Sequence, residues 1–218
     1  MAAGQDRPGR EELRRLLSER NQEPGRAAEI DGRIRAAFER RVAILVLDMC
    51  GFSRLSRKHG IIFYLGMIRQ MEEAATPAVV GNGGRVIKQE ADNLFAVFDQ
   101  PAQALEAALD IVRAFAAVNS VVPSDRDLHG SIGIGFGATL VVGDEDLFGV
   151  EVNLAAKLGE DVARAGEILL TAAAYRALPP GHYRCAERAA AGDPAIEESY
   201  RFEAVLDPTE PELHATEG

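Results

Sequence analysis

Two carboxylates set into apolar sequence constrain this chain most. Asp48 closes the run Arg41-Val-Ala-Ile-Leu-Val-Leu-Asp48, and Asp92 opens the run Asp92-Asn-Leu-Phe-Ala-Val-Phe98. Val42 to Leu47 is an uninterrupted apolar stretch, which predicts a strand buried on both faces. A carboxylate at the end of such a strand is costly to desolvate unless it is paired or bound to a cation. Two of them on neighbouring strands would make a hard-oxygen site suited to Mg²⁺ or Mn²⁺, the ions that accompany nucleotide phosphates. The pattern points to nucleotide chemistry.

Composition removes several other classes. A net charge of −10 argues against a nucleic-acid partner, which needs a basic face. Four histidines (59, 129, 182 and 214) and two cysteines (50 and 185) show no zinc-ligand spacing. Two cysteines are also too few for a disulfide framework, so a reducing cytoplasm is the expected setting. The first ten residues lack the apolar core of a signal peptide, and no apolar run approaches the ~20 residues of a membrane span. A chain of 218 residues buries roughly 70% of its unfolded surface and needs no covalent staples.

Along the chain, residues 1–40 read as an exposed tail followed by a helix. Glu11 to Arg20 could form a short helix with Leu13, Leu16 and Leu17 on one side. Ala27 to Arg40 is a stronger one, with Ile30, Ile34 and Phe38 at a four-residue repeat. Residues 41–206 form the expected domain. Val42 to Leu47 is its first strand, and Ser53 to Ala75 a helix interrupted at His59-Gly60 and ended by Pro77. Arg85 to Gln89 and Leu94 to Phe98 are two strands of a hairpin turning at Glu90-Ala91-Asp92-Asn93. Ala102 to Asn119 is helical. Strands follow at 128–136 and 138–142, then a loop at 143–146, a helix at 150–165, and strands at 167–171 and 200–206. Residues 207–218 are acidic and expected to be disordered. This order predicts an α+β fold: a ferredoxin-like, mainly antiparallel sheet with helices on one face. Gly133-Ile-Gly-Phe-Gly137 lacks the spacing of a dinucleotide-binding loop, and reads instead as strand glycines admitting a close backbone neighbour.

Three motifs together resemble the catalytic domain of class III nucleotide cyclases, the adenylate and guanylate cyclases. Asp48-Met-Cys-Gly-Phe-Ser53 is similar to that family's Asp-Ile-x-Gly-Phe-Thr/Ser, and Lys88-Gln-Glu-Ala-Asp92 to its Lys-x-x-Gly-Asp hairpin. Gly149-Val-Glu-Val-Asn153-Leu-Ala-Ala-Lys157-Leu is similar to its Gly-x-x-Val-Asn-x-Ala-x-Arg-Leu helix. The resemblance covers about residues 41–171.

It implies a homodimerising domain with composite sites, each holding two Mg²⁺ or Mn²⁺ ions and a nucleoside triphosphate, ATP favoured. Asp48 and Asp92 match the metal aspartates, with the Met49 carbonyl as an added ligand. The backbone from Cys50 through Gly51 and Phe52 to Ser53 would hold phosphate oxygens, and Phe52 would line the nucleotide pocket. Lys88 and Asp146 match the pair that reads the base; Asp146 lies seven residues before Asn153, as in the family. Such a pair suits adenine N1 and its 6-amino group, whereas guanine reverses the donor and acceptor. Asn153 would orient the ribose. Lys157 stands where the family has arginine, keeping the charge without the bidentate fork. Ala91 replaces the family's turn glycine, and Val150 a usually polar residue. The implied activity is cyclisation of ATP to cyclic AMP and pyrophosphate. The same residues leave open a cyclase for GTP or a pyrimidine nucleotide, or a weakly active nucleotide-binding regulatory module.

Overall fold

A computed structural model describes residues 8–188, 196 and 198–206; the side chains of residues 52–55, including the Phe52 and Ser53 side chains, lie outside the described set, as does the expected tail at 207–218. The described strands join into one sheet in the order β2-β3-β1-β4-β6-β8-β7, with β5 pairing onto β4. These are β1 (Glu39–Met49), β2 (Arg85–Glu90), β3 (Asn93–Phe98), β4 (Gly130–Val142), β5 (Asp146–Phe148), β6 (Ile168–Thr171), β7 (Tyr183–Arg188) and β8 (Ser199–Val205). The β4–β6 pair is parallel and the others antiparallel, so the sheet is mixed.

Alternation along β1 sends its two residue sets into different layers. Ala43, Leu45, Leu47 and Met49 join the core formed with α4 (Ile61–Gly81) and α5 (Pro101–Asn119). Val42, Ile44 and Val46 pack on the other side with Val152 and Ala155 of α6 (Val150–Lys157). Helices therefore cover both faces, not one. A fully apolar strand requires this, because each of its faces needs a partner.

Close approach of α6 depends on the strand glycines. A Cβ at Gly133 would stand 2.0 Å from the Ala155 carbonyl oxygen, and one at Gly135 would stand 2.5 Å from that of Glu151. The Glu151 carboxylate accepts from the Phe136 N–H (3.0 Å) and the Thr171 hydroxyl (2.7 Å), pinning the start of α6 to the sheet. After Lys157 the helix widens into one π turn, Leu158–Val162. Such turns displace side chains from the regular helical path.

Several expectations change. Pro77 lies inside α4, which runs on to Gly81. The segments at 128–136 and 138–142 form the single strand β4, and the loop at 143–146 ends in the short strand β5. Strand β7 lacked an apolar alternation to announce it. The short helix expected at Glu11 to Arg20 is α1 (Arg10–Gln22), which packs rather than trailing as a tail: its Leu13 and Leu16 bury against Ile30, Ile34 and Phe38 of α2 (Ala27–Phe38) and against Val142. Leu17 faces outward at 43% exposure.

Candidate active site

The two aspartates meet where β1 ends and the β2–β3 hairpin turns. Asp48 is paired in register with Asn93 on one side and Ser131 on the other, so Asp92 follows Glu90-Ala91 directly beside it. The Met49 N–H donates to the Asp92 carbonyl at 3.2 Å, tying the turn to the strand end. Ala91 takes φ 51°, the left-handed conformation that the family's glycine would adopt freely. An alanine there costs about 1 kcal/mol or more. The turn survives the substitution in strained form.

Burial, then the neighbouring charges of Asp92 and Glu160, push the Asp48 carboxyl up to about 6; a hydrogen bond from Ser131 only partly offsets them. Glu160, on the π turn, is itself raised by burial and by Asp161 and Asp92, and accepts from the Asn93 side chain at 2.8 Å. A carboxyl raised by neighbouring carboxylates lacks compensating positive charge. Among the described residues no three His, Cys, Asp or Glu side chains converge as a closed metal cage. Two carboxylates with open positions suit Mg²⁺ or Mn²⁺, which keep water and substrate phosphate in their shells. The donor set fits the ions.

Asp92 has a partner that the sequence did not reveal. The Tyr64 hydroxyl, on α4, donates to Asp92 Oδ2 at 2.8 Å. Burial, followed by the bond to Asp92, pushes this phenol well above its ordinary range and keeps it a donor. Nothing in an apolar helix stripe distinguishes a tyrosine with a core role from one aimed at a carboxylate.

Beyond β1, Gly51 adopts φ 101° and the chain turns into α3 (Phe52–His59). The Cys50 N–H donates to the His129 carbonyl at 2.8 Å, which removes it from the expected phosphate cradle. Gly51 and the first turn of α3 follow it, where a helix start leaves backbone N–H groups without intrahelical partners.

Lys88 and Asp146 form a complete ion pair. Lys88 Nζ lies 2.9 Å from Asp146 Oδ1 and 3.0 Å from Glu90, and 4.8 Å from the centroid of the Phe95 ring. Burial alone would lower the Lys88 pKa, but its bonds to Asp146 and Glu90 outweigh that and raise it. Burial likewise opposes ionisation of Asp146, yet Lys88 and the Leu147 N–H hold it below its usual range. The structure adds Arg10, whose guanidinium reaches Asp146 Oδ2 at 3.2 Å and the Glu145 carbonyl at 3.1 Å. No sequence pattern links residues so far apart.

Asn153 and Lys157 lie one turn apart on α6, Asn153 exposed and Lys157 half-buried.

No profile of a known protein family matches the chain. A Rhizobium meliloti protein provisionally named adenylate cyclase 3 is 33% identical over 132 residues, 61% of this chain and 22% of that protein. An adenylate cyclase of Streptomyces coelicolor is 32% identical over 120 residues, 55% of this chain and 30% of that protein. The alignments thus span less than a third of either relative. The crystal structure of an adenylate/guanylate cyclase/hydrolase from Silicibacter pomeroyi superposes with a TM-score of 0.62 and 26% identity, covering 78% of this chain and 98% of that one. The chain shares the catalytic-domain fold of class III adenylate and guanylate cyclases and is related in sequence to proteins named adenylate cyclases.

Proposed function

We propose that this chain is a nucleotide cyclase that converts ATP to cyclic AMP and pyrophosphate at composite sites of a homodimer. The observation that carries the reading is the meeting of Asp48 and Asp92, with Asp48 pushed up to about 6 by burial and like charge. Asp48 and Asp92, with the Met49 carbonyl, would hold divalent ions, which when bound would supply positive charge beside the ribose 3′-hydroxyl and the triphosphate. The chain's residues do the rest. Gly51 and the first-turn amides of α3 hold phosphate oxygens. Lys88 donates to adenine N1 while Asp146 accepts from the 6-amino group, and Asn153 orients the ribose. The 3′-hydroxyl gives its proton to solvent water as its oxygen forms a bond to the α-phosphorus, and the bond to pyrophosphate breaks in line. Lys157 of the facing subunit steadies the charge on the phosphate oxygens.

One chain carries both half-sets, so a head-to-tail pair would hold two equivalent sites. Lys157 favours a slow enzyme, since a single ammonium replaces a fork of donors. A nucleotide-binding module with little turnover is the second reading, and it rests on that residue. The test is to incubate the chain with Mn²⁺ and equal amounts of ATP, GTP, CTP and UTP, and to identify cyclic products by mass spectrometry. Cyclic AMP as the main product is expected. A different cyclic nucleotide would keep the mechanism and remove the base assignment. Nucleotide binding without any cyclic product would favour the regulatory module.

A further inference from the structure

Tyr64 is a polar side chain in an apolar layer. It is 1% exposed, on the same α4 stripe as Met67, Met71, Ala75 and Val79, and its neighbours in the core include Leu47, Met49 and Leu94. Packing there asks only for a ring; a hydroxyl carried into such a layer is costly unless it finds a partner. Its partner is the Asp92 carboxylate, at 2.8 Å. Asp92 is thereby held at two points, its carbonyl by the Met49 N–H and its side chain by Tyr64. The hairpin turn that carries Asp92 is strained at Ala91 and cannot be relied on to fix the carboxylate alone.

We infer that Tyr64 is a positioning residue for the metal-binding carboxylate: its hydroxyl commits Asp92 Oδ2 to the protein and orients the group to offer its other oxygen to the divalent ion. This rests on the metal role proposed for Asp92. Outer partners that orient a ligating group matter nearly as much as the ligand, and their loss weakens metal binding by ~10–100-fold. Tyr64→Phe keeps the ring and removes only the donor.

The test measures Mn²⁺ binding to the full chain by the electron paramagnetic resonance of free Mn²⁺, in the presence of 3′-deoxy-ATP, which cannot cyclise. The expected result is a dissociation constant for Mn²⁺ about 10-fold weaker in Tyr64→Phe. Adding Tyr64→Phe to Asp92→Asn should then cause no further loss. Unchanged Mn²⁺ affinity in a folded Tyr64→Phe, with affinity lost in Asp92→Asn, would overturn the role of Tyr64 and leave the metal reading standing. Unchanged affinity in Asp92→Asn would overturn both. Should Tyr64→Phe fail to fold, the natural chain supplies the readout, because it has four tyrosines and no tryptophan. A tyrosine difference band on adding Mg²⁺, absent in Asp92→Asn, supports the inference, and no band contradicts it.

Discussion

The hairpin β2–β3 carries two charged centres four residues apart, and they are built on opposite principles. At Lys88 the charges are matched: the ammonium sits between Asp146 and Glu90, and the protein alone keeps Lys88 protonated and Asp146 ionised. At Asp92 they are mismatched: Asp48, Asp92 and Glu160 crowd one another, and the resident fold resists ionisation of Asp48. The first centre is finished when the chain folds. The second is left short of positive charge. A site that reads a neutral base needs fixed donors and acceptors, whereas a site for cations and phosphate must keep a charge deficit for them to fill.

The contrast can be broken by mutation. Asp48→Asn should reduce cyclic product by ~1,000-fold or more, since it removes a proposed metal ligand. The same change should raise the melting temperature of the metal-free protein at pH 7.5, because it deletes a carboxylate that the fold holds reluctantly. Loss of activity together with loss of stability would contradict the charge-deficit account. At the matched centre, Lys88→Ala with Asp146→Ala should shift the ATP-to-GTP preference by ~10–100-fold while leaving a folded protein. Either single change should destabilise only modestly, since Asp146 keeps Arg10 and Lys88 keeps Glu90. Steady-state kinetics with both nucleotides and urea unfolding check this pair of outcomes.

A smaller effect concerns Lys157. Lys157→Arg restores a bidentate donor and should raise kcat by ~10-fold, with little change in KM. No gain would place the residue away from the developing charge.

The two centres should also respond oppositely to pH. Asp48 has a folded pKa of about 6, above its unfolded value of 3.8, so its contribution to stability declines as pH rises between those values. Asp146 is shifted downward, so its contribution is present above the unfolded value and is lost as pH falls through the folded one. In melting curves, Asp48→Asn should therefore gain on the natural chain as pH rises from 3.8 to about 6, whereas Asp146→Asn should stay below the natural chain above pH 3.8 and approach it only as pH falls further. The smallest change expected is from Ala91→Gly, which relieves a φ of 51° at the cost of a more flexible unfolded chain; a gain of about 0.5–1 kcal/mol by urea unfolding is expected.

Much of this was legible in the residues. The apolar run before Asp48 announced a buried strand, and the hairpin around Ala91-Asp92 followed from its turn chemistry. The glycines at 133 and 135 read correctly as room for a neighbouring backbone, which is α6. What stayed hidden depends on long-range placement. Tyr64, Glu160 and Arg10 each look like an ordinary helix residue, and only the fold brings them to Asp92, Asp48 and Asp146. The docking of α1 stayed hidden because its stripe is short and its mate, α2, supplies most of the apolar surface. Cys50 was given a phosphate role that its bond to His129 forecloses, a partner no local pattern could show.

The central claim is a divided site: a carboxylate centre on one subunit working with α6 of another. Mixing two inactive chains tests it most directly. Asp92→Asn removes a carboxylate of the proposed cation centre and Asn153→Ala the proposed ribose contact, and each alone should make almost no cyclic product. Co-refolded in equal amounts, they should recover about a quarter of natural activity, because half of randomly formed dimers are mixed and each mixed dimer has one intact site. Failure of the mixture to recover activity, with both chains folded and dimers formed, would contradict the account.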